Sequence, residues 1–74
     1  MVGWTEAQRE QMPQYVKSLR IALGLTQEQF ASRLGISFTT VSRWETGIHR
    51  PTRYYLKVLR NVERTLHLNP LRQP

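Results

Sequence analysis

The stretch TQEQFASRLGISFTTVSRWETG, residues 26–47, decides the fold of this chain. Thr26 is a favourable N-cap residue, and Gln29 stands three positions later in the spacing of a capping box, so a helix should begin at Gln27. The glycines at positions 35 and 47 can adopt the left-handed conformation that ends a helix at little steric cost. The stretch therefore predicts two short helices joined by a tight turn.

The second of these helices is predicted to run from Phe38 to Thr46, with Ser37 as its N-cap. Val41 and Trp44 are three residues apart and should face the first helix. The opposite face carries small hydroxyl groups, one arginine and one aromatic ring, whereas a solvated face would carry Lys and Glu pairs. The residues of this outer face are Phe38, Thr39, Thr40, Ser42, Arg43 and Thr46.

The chemistry of this outer face suits double-stranded DNA. Small hydroxyl residues let a helix approach base edges closely, and the planar fork of an arginine matches O6 and N7 of guanine in the major groove. A phenyl ring or a threonine methyl group can contact the methyl group of thymine. A helix, a tight turn containing Gly and a second, exposed helix form the signature of a helix-turn-helix.

Residues 24–51, GLTQEQFASRLGISFTTVSRWETGIHRP, resemble the Cro/CI (XRE) family of DNA-binding domains, and the likeness extends over residues 19–59. The resemblance implies an all-α fold, a small lambda-repressor-like bundle of four to five helices that contains the helix-turn-helix. It also implies a repressor or regulator that binds a palindromic operator as a homodimer and needs no cofactor. Exposed apolar residues of the last helix are candidates for the dimer surface, although core packing is the alternative for most of them: Tyr54, Tyr55, Leu66 and Leu68.

The resemblance implies a role for each residue of the site. In the family, the residue at the Gln27 position reaches a phosphate and braces the side chains that read bases. The residues expected to read bases are Phe38, Thr39, Thr40 and Arg43. Phe38 departs from the phage repressors, in which Gln is common at this position. The residues expected to contact phosphates, which set register and affinity, are Thr26, Gln27, Ser37, Thr46, His49, Arg50 and Arg53.

One ion pair is also implied by the resemblance. In members of the family, an arginine at the Arg20 position pairs with the glutamate at the Glu45 position. We therefore expect Arg20 and Glu45 to form a structural pair that locks two helices together, so that losing either partner would strand a charge. The alternative is two independent surface charges.

The composition favours an anionic partner. The formal net charge is +6, and six of the eleven basic residues follow Gly47. Charge alone suits nucleic acid or an acidic membrane surface, and only the motif singles out DNA. The chain has no cysteine, no apolar run of membrane-spanning length and no signal-peptide pattern, so we expect a cytoplasmic, nucleoid-associated protein of bacterial or phage type.

The segments around the motif complete the expected domain, which should span residues 1–74. Residues 1–12 are predicted to form an N-terminal arm or a short helix, and residues 69–74 a flexible tail. Pro13 fits the first turn of a helix predicted over residues 14–23. Thr52 should cap a last helix over residues 53–66. The family usually has two short helices in this region, but no Gly or Pro interrupts it here, so one helix and two both remain open.

The composition also bears on functions other than DNA binding. Five acidic residues, two histidines and no cysteine leave few catalytic options, so the chain is not expected to be an enzyme. The same scarcity of ligands argues against a metal site at His49. Two alternatives remain: an antitoxin-type module that binds a toxin or another regulator and also autoregulates through DNA, and an architectural or RNA-associated domain that uses charge alone.

Overall fold

The computed structural model describes residues 11–68, with side chains as far as residue 66. This part of the chain is all-α and contains no strand, which confirms the predicted fold class. It has four helices: α1, Met12–Ala22; α2, Gln27–Leu34; α3, Phe38–Thr46; and α4, Arg53–Leu68. None of these helices is long and apolar enough to cross a bilayer.

Helix α1 begins earlier than the sequence predicts. Met12 is buried and belongs to α1, so its assignment to an N-terminal arm or short helix is wrong. The helix can start ahead of Pro13 because backbone N–H groups in the first turn have no acceptor within the helix, so proline loses no hydrogen bond there. It ends at Ala22 instead of residue 23, and Gly24 follows with a φ of 73°. The other expectations for residues 1–10 and 69–74 lie outside the described residues.

A core drawn from all four helices holds the described residues together. Helix α3 packs against both α1 and α2, and α4 packs against α1. Val41 and Trp44 are buried as the sequence predicts, and the Trp44 ring lies 5.6 Å from that of Tyr55 in α4. The buried residues of the core are Met12, Val16, Leu19, Phe30, Ala31, Val41, Trp44 and Leu59.

The region after Thr52 could form one helix or two according to the sequence, and the structure shows one. Residues 53–68 form one helix, two residues longer than the predicted span. Its first turn is capped by Thr52, whose Oγ1 accepts a hydrogen bond of 3.3 Å from the backbone N–H of Tyr55. Leu59 is fully buried, and the partly buried Leu56 packs against the core. With neither Gly nor Pro in its interior, the segment has no residue that would divide it.

Candidate nucleic-acid interface

The N-terminus of α2 is fixed by the predicted capping box. The backbone N–H of Gln29 donates to Oγ1 of Thr26 at 3.1 Å, and the backbone N–H of Thr26 donates to Oε1 of Gln29 at 2.9 Å. Two backbone donors at the start of the helix are thereby satisfied. The reciprocal bonds hold the first turn of α2, which carries Gln27, in one orientation.

The turn between α2 and α3 is as short as the sequence predicts. Gly35 has a φ of 74°, and Ile36 donates its backbone N–H to the carbonyl of Ala31 at 3.0 Å. Ile36 also packs against the core, so the turn is anchored from both its backbone and its side chain. Ser37 then caps α3 by accepting a hydrogen bond of 3.2 Å from the backbone N–H of Thr40. These contacts set the direction in which α3 leaves the turn.

Helix α3 has one buried face and one exposed face. Val41 is fully buried and Trp44 is 3% exposed, so both fasten the helix to the core. Thr39 and Arg43 lie on the exposed face and make no side-chain hydrogen bond within residues 11–66. Phe38, at the leading end, is 47% exposed. An arginine, a threonine and a phenyl ring are therefore available to a ligand on one side of α3.

Two hydroxyl groups near this face are already engaged. Oγ1 of Thr40 lies 2.9 Å from Oγ of Ser37, and Thr40 is half-buried. Thr46 donates its hydroxyl proton to the backbone carbonyl of Ser42 at 3.0 Å. A phosphate accepts hydrogen bonds only, so the Thr46 hydroxyl would have to rotate away from its own helix to reach one. The phosphate contact expected of Thr46 stays a prediction.

The loop after α3 is tied back to that helix. Gly47 has a φ of 83°, and a Cβ atom built there would lie 3.5 Å from Cγ of Pro13. The backbone N–H of His49 donates to the carbonyl of Arg43 at 3.2 Å. This bond brings the loop to the C-terminal end of α3, where His49 and Arg50 are exposed. The loop is followed by Arg53, also exposed, at the first position of α4.

The ion pair expected between Arg20 and Glu45 is present. Nε of Arg20 donates to Oε2 of Glu45 at 2.7 Å, and Nη2 donates to Oε1 at 3.0 Å. Nη1 donates to the carbonyl of Leu25 at 3.0 Å. The side chains are only 14% and 5% exposed, respectively. The hydrogen bonds that Arg20 donates to Glu45 raise the pKa of Arg20 above its ordinary value. The pair joins α1, the following loop and α3.

Gln27 makes a contact that the sequence does not predict. Its Nε2 donates to Oε1 of Glu45 at 2.9 Å, the same oxygen that receives Nη2 of Arg20. The expected reach of Gln27 toward a phosphate would therefore start from a side chain that is already bonded to α3. The sequence carried no signal for this bond because 18 residues separate its partners.

A second polar contact was also missed by sequence reasoning. The hydroxyl of Tyr15 donates to Oε1 of Glu63 at 2.8 Å. Burial, and then the carboxylate of Glu63, raise the pKa of Tyr15 well above its ordinary value. Glu63 is half-buried beneath the outer surface of α4. That surface exposes basic side chains, namely Arg53, Lys57, Arg60 and Arg64.

An apolar groove lies away from the exposed face of α3. It has a volume of about 400 Å³ and lies between α2 and α4, next to Leu23. Arg33, Asn61 and Thr65 contribute its polar lining. Its apolar lining comes from Leu23, Phe30, Leu34, Val58, Val62 and Leu66. No residue of α3 contributes to it.

Comparisons with known proteins agree with the geometry. A family model described as Helix-turn-helix matches residues 16–62, which include the whole of α2 and α3 and most of α1. Comparisons with curated proteins and with solved structures give no significant match. The matched span includes the capped turn, the exposed face of α3 and the basic loop after it. The chain belongs to the Cro/CI-type (XRE) helix-turn-helix family of DNA-binding regulators.

Proposed function

We propose that this protein binds a specific sequence of double-stranded DNA as a homodimer and represses transcription there, in the cytoplasm of a bacterium or during phage growth. In this proposal α3 enters the major groove. Arg43 and Thr39 contact base edges, with Phe38 and Thr40 at the leading end of the helix. The phosphate contacts come from both ends of the motif, namely from Thr26, Gln27, Ser37, Thr46, His49, Arg50 and Arg53.

The exposed face of α3 is the observation that carries this proposal. Arg43 projects from a helix whose other side is fastened by Val41 and Trp44, so its backbone position is set before DNA arrives. A preorganised arginine can form the bidentate contact to guanine without a further ordering cost in the backbone. The exposed His49 and Arg50 lie just beyond the same helix, where a groove-bound helix meets the DNA backbone.

A dimer follows from the amount of DNA that one such helix can read. One recognition helix contacts only a few base pairs, whereas useful specificity needs a longer site. Two copies related by a two-fold axis would place their helices in successive major grooves, roughly 34 Å apart, on a palindromic sequence. Tyr54 is 64% exposed on α4 and remains a candidate for the contact between copies. Tyr55 and Leu66 pack partly against the core instead.

Selection of bound duplexes from a random pool tests the proposal, followed by affinity measurements with three alanine variants. Arg43→Ala should weaken binding to the selected site by about 1–3 kcal/mol and relax the preference at one base pair. Arg50→Ala should weaken all sequences alike and lower the salt slope by about one unit. Arg64→Ala, in the last helix, is the matched control for loss of charge. An unchanged base preference in Arg43→Ala would refute the assigned role.

The groove between α2 and α4 favours a second function, that of an antitoxin-type module with a protein partner. Its six apolar side chains could receive a toxin or a regulator while α3 stays free for DNA. The two proposals differ in what the selected pool contains. A repressor yields a symmetric consensus sequence on its own, whereas a module that depends on its partner yields one only when the partner is bound. Binding that depends on salt but not on sequence would favour the architectural or RNA-associated alternative instead.

A further inference from the structure

We propose that Glu45 is a positioning residue for DNA binding, which fixes the amide of Gln27 so that one of its N–H bonds points to a phosphate. This inference rests on the proposed function, because it concerns the same interface. Glu45 itself reads no base and contacts no phosphate in this scheme. Its side chain is only 5% exposed, and its Oε1 accepts a hydrogen bond from the Gln27 amide.

The chemistry of the Glu45 carboxylate determines which way the Gln27 amide faces. An ionised carboxylate accepts hydrogen bonds and donates none, so only the NH₂ group of Gln27 can face it. The amide nitrogen donates one proton to Glu45 at 2.9 Å. Its second N–H remains available as a donor. Without Glu45, the amide could turn its carbonyl oxygen outward, and that oxygen would repel a phosphate.

The position of Gln27 suits a contact with the DNA backbone. Gln27 is the first residue of α2, directly after the N-cap Thr26, and its side chain is half-buried. The first turn of a helix carries backbone N–H groups and a partial positive charge, both of which favour an anion. The fixed Gln27 amide adds a neutral donor at this end of α2.

Arg20 neutralises the negative charge of Glu45, so that the carboxylate can lie near DNA. A bare carboxylate this close to the interface would repel a phosphate. The two bonds from Arg20, at 2.7 Å and 3.0 Å, pair the charge of Glu45 and restrain both of its oxygens. Arg20 is in turn held by the carbonyl of Leu25 at 3.0 Å. A chain of hydrogen bonds therefore connects the loop before α2, the Arg20–Glu45 ion pair and the Gln27 amide.

The test replaces single phosphates of the selected site with neutral methylphosphonates and compares five proteins. Neutralising one particular phosphate should weaken DNA binding by the wild type about tenfold, the effect of losing a hydrogen bond to a charged group. The same replacement should not weaken DNA binding by Gln27→Ala. Glu45→Gln should lose most of that sensitivity, and the Gln27→Ala, Glu45→Gln double variant should lose no more. The salt slope of Gln27→Ala should equal that of wild type, because the Gln27 amide is neutral. Glu28→Gln, which makes the same charge change one residue from Gln27, should keep the full sensitivity.

Two further measurements keep folding and positioning apart. Affinities are compared at a temperature where denaturation curves show each variant to be folded. In the wild type, which needs no substitution, DNA should shift mainly the NMR signal of the outer of the two Nε2 protons of Gln27. If Glu45→Gln retained full sensitivity at the Gln27 phosphate, this inference would be overturned while the proposed function stood. If no selected sequence were found, the proposed function itself would fail.

Discussion

The guanidinium of Arg20 forms three hydrogen bonds, two with Glu45 and one with the carbonyl of Leu25. These bonds use the planar fork of arginine, which presents donors in fixed directions and matches a carboxylate with two parallel bonds. A lysine is a single charged point and cannot satisfy all three positions. Arg20 therefore contributes geometry as well as charge to the contact between α1 and α3.

Replacing Arg20 should reveal how much this contact stabilises the fold. Arg20→Ala leaves the Glu45 side chain, which is 5% exposed, without a positively charged partner, so we expect the free energy of unfolding to fall by about 3 kcal/mol. Urea denaturation measures the change. Arg33→Ala removes an exposed arginine of α2 and should change the free energy by less than about 0.5 kcal/mol. Equal effects of the two substitutions would contradict a structural role for the pair.

Tyr15 gives the stability of this protein a dependence on alkaline pH. Its pKa is raised in the folded state by burial and by Glu63, so the fold favours the neutral phenol. The stabilisation is fully present below the ordinary tyrosine pKa of about 10 and is lost as the pH rises above it. Between about pH 10 and 12, wild type should lose more stability than Tyr15→Phe. Tyr54→Phe, which changes an exposed ring, should follow the wild-type curve in denaturant titrations.

At the scale of single residues, resemblance predicts more than periodicity does. The Arg20–Glu45 pair follows from the family pattern, although 25 residues separate its partners. The bonds from Gln27 to Glu45 and from Tyr15 to Glu63 join residues 18 and 48 positions apart. Such pairs depend on how helices are packed, and no local spacing reports them. The assigned DNA contacts stay predictions.

At the scale of helices, capping residues fix where α2 and α3 begin and end. Thr26 and Ser37 both cap through their hydroxyl oxygens, and glycines with positive φ follow both helices. These are local signals, so the predicted bounds of both helices are met. The start of α1 is different, because Gln11 offers no side-chain cap and the helix gains its first residue by burying Met12. Tertiary packing overrides the local signal there.

The cap of α3 can be tested on its own. Ser37→Ala removes the acceptor for the backbone N–H of Thr40, so it should lower the free energy of unfolding by about 1 kcal/mol. It should also fray the leading end of α3, where Phe38 and Thr39 lie. Thermal denaturation gives the first effect and amide exchange at Thr40 the second. Ser32→Ala, at an exposed position inside α2, is the control and should not reduce stability.

At the scale of the whole molecule, the all-α class and the family follow from one 22-residue stretch, because its caps, turn and apolar face agree with one another. The groove between α2 and α4 does not follow from it, since its lining joins side chains that are far apart in the chain. Dimerisation and the single domain over residues 1–74 stay predictions. A symmetric partner leaves no mark in the periodicity of one chain.

The proposed dimer makes a geometric prediction about its operator. Inserting five base pairs at the centre of a selected palindrome turns one half-site by about half a helical turn, to the other side of the duplex. Cooperative binding of two protomers should then be lost. Insertion of ten base pairs, about one full turn, returns both half-sites to the same side of the duplex and should restore it. Electrophoretic mobility and sedimentation report the stoichiometry. Equal, independent binding to all three duplexes would show that the protomers act as monomers.

The two-sided character of α3 has a consequence for how such proteins diverge. Val41 and Trp44 hold the nine-residue helix from within, and neither belongs to the outer face that carries Thr39 and Arg43. Substitutions on the outer face can therefore accumulate while the core residues stay unchanged. The DNA sequence that such a protein recognises can change during evolution without loss of a stable fold.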